Sequence, residues 1–75
     1  MAKLPIVSSD EVVKALTKIG YVKVRQVGSH IAMQKIEAKK TNTVIVPDHK
    51  ELARGTFRSI IRKSGLTVEY FLKLL

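Results

Sequence analysis

Residues 21–37, YVKVRQVGSHIAMQKIE, decide the fold of this chain. Apolar and polar residues alternate on both sides of Gly28-Ser29, as they do in strands that bury one face. A glycine followed by a serine suits the tight turn between two such strands. The stretch therefore predicts a β-hairpin, with Ile31 and Met33 of its second strand facing the core.

The first strand of this hairpin, residues 21–27, predicts a basic outer surface. Its alternation places Val22 and Val24 inward, which leaves Tyr21, Lys23 and Arg25 on the outer face. We therefore expect a half-buried strand whose cations lie in solvent.

His30 directly follows the turn and is the first candidate functional residue. Because Ile31 and Met33 face inward, His30 is expected on the open face, together with Lys23 and Arg25. Histidine exchanges protons readily near neutral pH, and neighbouring cations can hold a phosphate, so this group suits phosphodiester chemistry. The competing interpretation is an exposed hairpin histidine with no role, and a lone histidine at a turn is more often of that kind.

Helix signals flank the hairpin on both sides. Ser8 and Glu11 form a capping box before a helix that stops at Gly20. After the hairpin, residues 38–42 predict a turn, and TVIVP, residues 43–47, predicts a third strand. A second helix is expected from about Gly55 to residue 65, and a short final helix is capped by Thr67.

These elements predict an α+β fold of order α-β-β-β-α-α. Each strand connection is too short for a parallel crossover, so the sheet is expected to be three-stranded and antiparallel, with the helices covering one face. At 75 residues the chain predicts one domain, residues 1–75, with little room for an enclosed cavity.

The charge balance predicts a polyanionic partner. Fourteen Lys and Arg oppose six Asp and Glu, a formal net charge of +8. Nucleic acid is the first candidate, an anionic membrane the second and an acidic protein the third, beside a basic domain with no such partner. The absence of cysteine excludes disulfides and thiolate metal sites. No apolar run is long enough for a membrane span and no targeting segment is apparent, so a cytoplasmic protein is expected.

A second group of cations is expected along the second helix. Arg54, Arg58 and Arg62 recur every four residues and so share one side of it, beside the apolar stripe of Phe57, Ile60 and Ile61. Arginine suits phosphate and a partner's carboxylate equally well, and a solvated surface is the third possibility.

The remaining polar residues favour neither a metal nor a nucleotide cofactor. His49 lies in the loop PDHKEL, where a histidine more often bonds to backbone than performs catalysis. The acidic residues are dispersed, apart from Asp48 and Glu51 near His49, and a hydrophilic loop accounts for those. Phosphate-binding glycine motifs are absent, so we expect no cofactor.

The order and spacing of these residues closely resemble the HicA-type toxins of bacterial and archaeal toxin–antitoxin pairs. The resemblance covers nearly the whole chain. It is carried by Pro5, Gly20, Gly28-Ser29-His30, Pro47 with His49, Gly55-Thr56, Gly65-Leu66 and Phe71.

This resemblance implies a fold like that of double-stranded-RNA-binding domains, and the toxin of a type II system. It implies a metal-independent and ribosome-independent mRNA interferase, silenced by a HicB-type antitoxin. The histidine of the Gly-Ser-His motif, here His30, would be catalytic, and Gly28 and Ser29 match its neighbours.

Cleavage without a metal would use the ribose 2′-hydroxyl as nucleophile and His30 as general acid or base. The other proton carrier is not identified. Candidates for binding the substrate are Gly28, Ser29, Lys23, Arg25, Arg54 and Arg58, with Lys35 in an inward register at the sheet margin. Two alternatives stay open, a non-catalytic RNA-binding module and a basic subunit that docks an acidic protein.

Overall fold

A computed structural model describes residues 3–75. Its elements are α1 (Ser9–Lys18), β1 (Val22–Val27), β2 (His30–Glu37), β3 (Lys40–Pro47), α2 (Arg54–Ser64) and α3 (Val68–Leu74). The predicted order α-β-β-β-α-α is confirmed. None of the helices within these residues has the length and apolar character that a membrane span requires.

The three strands form one antiparallel sheet in the order β1-β2-β3. The helices α1 and α2 pack on one side of it, which we call the inner face, where β2 contributes the buried side chains Ile31 and Met33, and α3 packs against α1 and α2. The other side is the open face. This arrangement is the one expected for a double-stranded-RNA-binding-domain-like α+β fold.

The core lies between the inner face and the helices. Val12 and Leu16 of α1, Phe57 of α2 and Phe71 of α3 are all at most 1% exposed. The rings of Phe57 and Phe71 meet edge to face, with centroids 5.5 Å apart, a geometry that aromatic pairs prefer. Apolar residues at helical spacing thus join the helices to the sheet.

The predicted helix caps are present. The Glu11 amide donates to Ser8 Oγ at 3.2 Å, and the Ser8 amide donates to Glu11 Oε1 at 3.0 Å, which completes the capping box of α1. Thr67 Oγ1 accepts from the Tyr70 amide at 3.1 Å at the start of α3. These side chains satisfy amides that the first turn of a helix leaves without a partner.

The predicted facing of β1 is wrong over its first residues. Val22 and Val24 are 58% and 46% exposed, whereas Tyr21 is only 1% exposed. The register between β1 and β2 shifts between Lys23 and Arg25, so a bulge at residue 24 adds one residue to the strand. One extra residue inverts the alternation before it, which turns Tyr21 into the core and Val22 out.

The second hairpin turn is also shorter than predicted. The strand β3 begins at Lys40 and not at residue 43, and Lys40 pairs with Glu37. Only Ala38 and Lys39 lie in the turn, at φ 49° and 69°. Two successive positive φ angles are those of a type I′ turn, which usually holds asparagine and glycine.

Candidate functional site

His30 opens β2 and lies at the end of the sheet where β1 turns into β2. It pairs with Val27 of β1 and with Pro47 of β3. Its neighbour Ile31 is buried on the inner face, so the His30 side chain lies on the open face, where it is exposed. The predicted facing of His30 is confirmed.

The turn before His30 has the geometry that its sequence favours. Gly28 has φ +58°, and Ser29 is not among the residues with positive φ. A positive φ at the first of the two turn residues alone is that of a type II′ turn, in which glycine takes this position. Glycine at position 28 thus allows two residues to connect β1 to β2 without a longer loop.

Both carbonyls of this turn accept hydrogen bonds from outside the turn. Gln26 Nε2 donates to the Gly28 oxygen at 3.1 Å. The Asp48 amide, just after β3, donates to the Ser29 oxygen at 2.7 Å. A side-chain donor from β1 and a backbone donor from the residue after β3 therefore fix the peptide units that lead into His30.

Arg25 lies on the same face as His30. It pairs with Ala32, which is two residues beyond His30 in β2 and so shares its face. Diagonal neighbours of this kind lie about 7–8 Å apart, which is within reach of a long side chain. The sheet therefore brings an exposed guanidinium and an exposed imidazole to one surface.

Lys23 lies on the other side of the sheet, so the expectation that it flanks His30 is wrong. It pairs with Met33, which is fully buried on the inner face, and its Nζ donates to Gln26 Oε1 at 2.9 Å. The cause is the bulge at residue 24, which separates the facing of Lys23 from that of Arg25.

Lys35 is also separate from His30. It pairs with Asn42 on the inner side, and its Nζ lies 3.3 Å from Glu37 Oε2. It lies five residues along β2 from His30, which is about 16 Å at the rise of a strand. The predicted inward register of Lys35 is thus confirmed.

The arginine stripe is exposed along α2, as predicted. Arg54, Arg58 and Arg62 face solvent, whereas Phe57, Ile60 and Ile61 are buried. Because α2 packs against the inner face, the structure does not bring these arginines to the surface that carries His30. They form a cationic surface that is separate from the face that carries His30.

Residues 9–66 match the sequence model of one protein family, described as the HicA toxin of bacterial toxin–antitoxin systems. The chain belongs to the HicA toxin family. Membership gives it the role of a toxin and implies an antitoxin as its partner. No protein with curated annotation matches the chain.

The open face of the toxin also carries exposed apolar side chains. Val22 and Val27 of β1, Ile36 of β2 and Ile45 of β3 are between 44% and 77% exposed. Across the register, Ile36 pairs with Thr41 and Ile45 pairs with Ala32. The face around His30 is thus mainly uncharged, with Arg25 as the cation nearest to His30 in the register.

His49 of the toxin is held through its backbone. Its oxygen accepts from the Ser9 amide at 3.0 Å, and its amide donates to the Pro47 oxygen at 3.0 Å. The residue lines a surface cavity at the start of α1, beside Ser8 and Asp10. Across residues 3–75, the His, Asp and Glu side chains form no group of three or more that could hold a metal ion.

Gln26 was not singled out from the sequence, and Asp48 was interpreted only as part of a hydrophilic loop. Asp48 lies 22 positions after Gln26, and the two meet only once the sheet has formed, with Gln26 Nε2 donating to Asp48 Oδ2 at 3.1 Å. A turn aspartate and a strand glutamine have no distinctive sequence pattern. Their hydrogen bonds nevertheless reach both carbonyls of the turn that precedes His30.

Proposed function

We propose that this HicA toxin is an mRNA endoribonuclease that cleaves RNA without a metal ion, and that His30 is its catalytic residue. The observation that carries this proposal is an exposed histidine on a fixed turn, with Arg25 on the same face. The substrate is messenger RNA, and the reaction belongs to the cytoplasm. Residues 1–75 act as one domain and need no cofactor.

The reaction uses the ribose 2′-hydroxyl as nucleophile. A general base removes its proton, the 2′-oxygen bonds to phosphorus, and the bond from phosphorus to the 5′-oxygen breaks. The departing 5′-oxygen takes a proton from a general acid, which leaves a 2′,3′-cyclic phosphate and a 5′-hydroxyl. His30 supplies one of these two transfers, each typically worth about 10²- to 10⁴-fold in rate.

Arg25 and the turn hold the scissile phosphate in this proposal. A guanidinium beside the imidazole can stabilise the charge that develops on the phosphoryl oxygens in the transition state. Gly28 and Ser29 set the approach of the RNA to His30, because the turn has no bulky side chain. Lys23 takes no part at this surface, since it lies on the inner side of the sheet.

The exposed arginines of α2 extend RNA binding through phosphate contacts. Arg54 and Arg58 have the fork geometry that phosphate favours, and each contact adds to the salt dependence of binding. Arg58→Glu is expected to weaken RNA affinity and to reduce the salt slope by about one or more. Lys14→Glu, the same charge reversal at an exposed residue of α1, is the control. An equal loss of RNA affinity in both variants would mean that net charge alone matters.

A HicB-type antitoxin would silence the toxin by covering His30. The exposed apolar residues of the open face, Val22, Val27, Ile36 and Ile45, support this, because a protein partner can bury them whereas an RNA backbone cannot. Covering this face would close access to His30 and Arg25 together.

The test of the reaction is incubation of the purified toxin with RNA in excess EDTA, followed by analysis of the product ends. We expect cleavage in EDTA, cyclic phosphate and 5′-hydroxyl ends, and no cut at a position with 2′-deoxyribose. Cleavage only on addition of a metal, or cleavage at the 2′-deoxy position, would overturn the proposed chemistry. Salt-dependent binding without cleavage would identify a non-catalytic RNA-binding module, which the exposed arginine stripe favours as the second candidate.

A further inference from the structure

The hydrogen bonds around Asp48 connect three parts of the toxin at the turn before His30. Asp48 Oδ2 accepts from Gln26 Nε2 of β1 at 3.1 Å, and Oδ1 accepts from Ser9 Oγ of α1 at 3.1 Å. The Asp48 amide holds the Ser29 oxygen at 2.7 Å. One residue thus ties the first hairpin turn to the end of β3 and to the start of α1.

Gln26 shares its amide nitrogen between Asp48 and the turn. Gln26 Nε2 donates both to Asp48 Oδ2 and to the Gly28 oxygen, at 3.1 Å each. Its Oε1 accepts from Lys23 Nζ at 2.9 Å, which is consistent with the nitrogen pointing to Asp48. The Asp48 carboxylate therefore orients the amide that holds the Gly28 carbonyl.

None of these contacts lies on the open face. Gln26 pairs with Ile31, which is buried on the inner face, and Ser9 is itself only 3% exposed. Asp48 therefore holds the turn from behind, while His30 lies on the other side of the sheet. It is placed to set the position of His30 without touching a substrate on the open face.

We propose that Asp48 is a positioning residue for His30, and that it acts through Gln26 and the Gly28-Ser29 turn. This inference rests on the proposed function, because it assumes that His30 must meet a phosphate at a defined position. A displacement of about 1 Å in a reacting group can cost 10²-fold in rate, whereas RNA affinity does not require that accuracy. Asp48 should therefore affect cleavage more than binding.

Asp48→Asn tests the proposal, because it preserves the size of the side chain but removes its charge and one acceptor oxygen. The backbone amide of residue 48 can still donate to the Ser29 oxygen. The bond from Gln26 Nε2 loses its charged acceptor, and Ser9 Oγ must either accept from the new side-chain amide or share its one oxygen with Gln26. We expect single-turnover cleavage to fall about tenfold to a hundredfold with RNA affinity within about twofold of wild type. Asp10→Asn, the same change on an exposed aspartate of α1, should retain the wild-type rate.

A second readout separates this inference from the proposed function. In NMR hydrogen exchange, Asp48→Asn should lose protection at the backbone amide of residue 48, which donates to the Ser29 oxygen, and at His30, which pairs with Val27 across the turn. No change is expected around Ala38 and Lys39. Unchanged exchange at the first turn, or an unchanged cleavage rate, would overturn the positioning role. Loss of protection throughout the sheet would also overturn it, since Asp48 would then be a general stabilising residue. If the wild type does not cleave RNA, the proposed function fails, whereas the exchange result still reports whether Asp48 fixes the turn.

Discussion

The two hairpin turns of the sheet have the same length but are held in different ways. The first, Gly28-Ser29, has a glycine at its positive φ, and both of its carbonyls accept hydrogen bonds from other parts of the chain. The second has Ala38 and Lys39 at positive φ. In the part of the chain that the structure describes, no side chain donates to the carbonyls of that second turn.

The difference indicates which end of the sheet holds its turn in a defined position. A side chain in the left-handed region costs about 1–2 kcal/mol, so the second turn holds strain that no added contact offsets. The first turn avoids that strain and gains additional hydrogen bonds. An unstrained turn with additional hydrogen bonds is expected where the next residue, His30, must be held in one position.

Removal of one cation should affect RNA cleavage far more at the end of the sheet with the first turn than at the end with the second turn, and this is the largest difference expected between the two ends. Arg25→Gln removes the guanidinium diagonal to His30, and hydrogen bonds to charged groups contribute about 1.5–3 kcal/mol. We expect kcat/KM for RNA cleavage to fall about tenfold to a hundredfold. Lys40→Gln, beside the second turn, is the control and should lie within about twofold of wild type. Equal losses would show that net charge and not position matters.

Gly28→Ala should destabilise the toxin more than a matched substitution at the second turn. The side chain would meet no heavy atom within 4 Å, so the cost comes from the positive φ alone, about 1–2 kcal/mol in the free energy of unfolding. Urea denaturation measures it, with Lys39→Ala at the second turn as the partner variant. Lys39→Ala should change the free energy of unfolding by less than about 0.5 kcal/mol, since lysine and alanine at position 39 both carry a Cβ and meet the same strain at its positive φ. A similar loss in both variants would contradict the distinction between the turns.

Lys39→Gly should have a smaller effect on stability than Gly28→Ala, and of opposite sign. Relief of about 1–2 kcal/mol of strain at φ 69° is partly offset by the greater freedom of glycine in the unfolded chain, about 0.4–1 kcal/mol. A net stabilisation of about 0.5–1 kcal/mol is expected in the same denaturation experiment. Destabilisation by Lys39→Gly would mean that the second turn is not strained.

Local patterns in the sequence were sufficient for the element order, the helix caps and the facing of His30. The alternation of Ile31 and Met33 in β2 is regular, so the face of His30 follows from it. The first turn was predictable because it contains glycine. Ala38 and Lys39 carry no turn signature, and so the start of β3 was placed three residues too late.

The residues of β1 whose facing was predicted wrongly are held by contacts with residues distant in the sequence. Residues 21–25 alternate without interruption, and no glycine marks the bulge at residue 24. Tyr21 packs in the core, where its hydroxyl accepts from the Asn42 side chain, and Asn42 also donates to the Lys63 oxygen at 2.9 Å. Asn42 belongs to β3 and Lys63 to α2, so the local alternation of β1 could not reveal these contacts. The prediction that put Tyr21 on the wrong face therefore put Lys23 on the wrong face as well.

The central claim is that the first turn presents His30 as the catalytic residue, and one measurement tests it most directly. Single-turnover RNA cleavage in excess EDTA is compared for wild type, His30→Ala and His49→Ala, all purified in the same way to control for contaminating nucleases. We predict that His30→Ala loses about 10²- to 10⁴-fold in rate with RNA affinity retained, and that His49→Ala keeps the wild-type rate. Equal cleavage by wild type and His30→Ala would contradict the account.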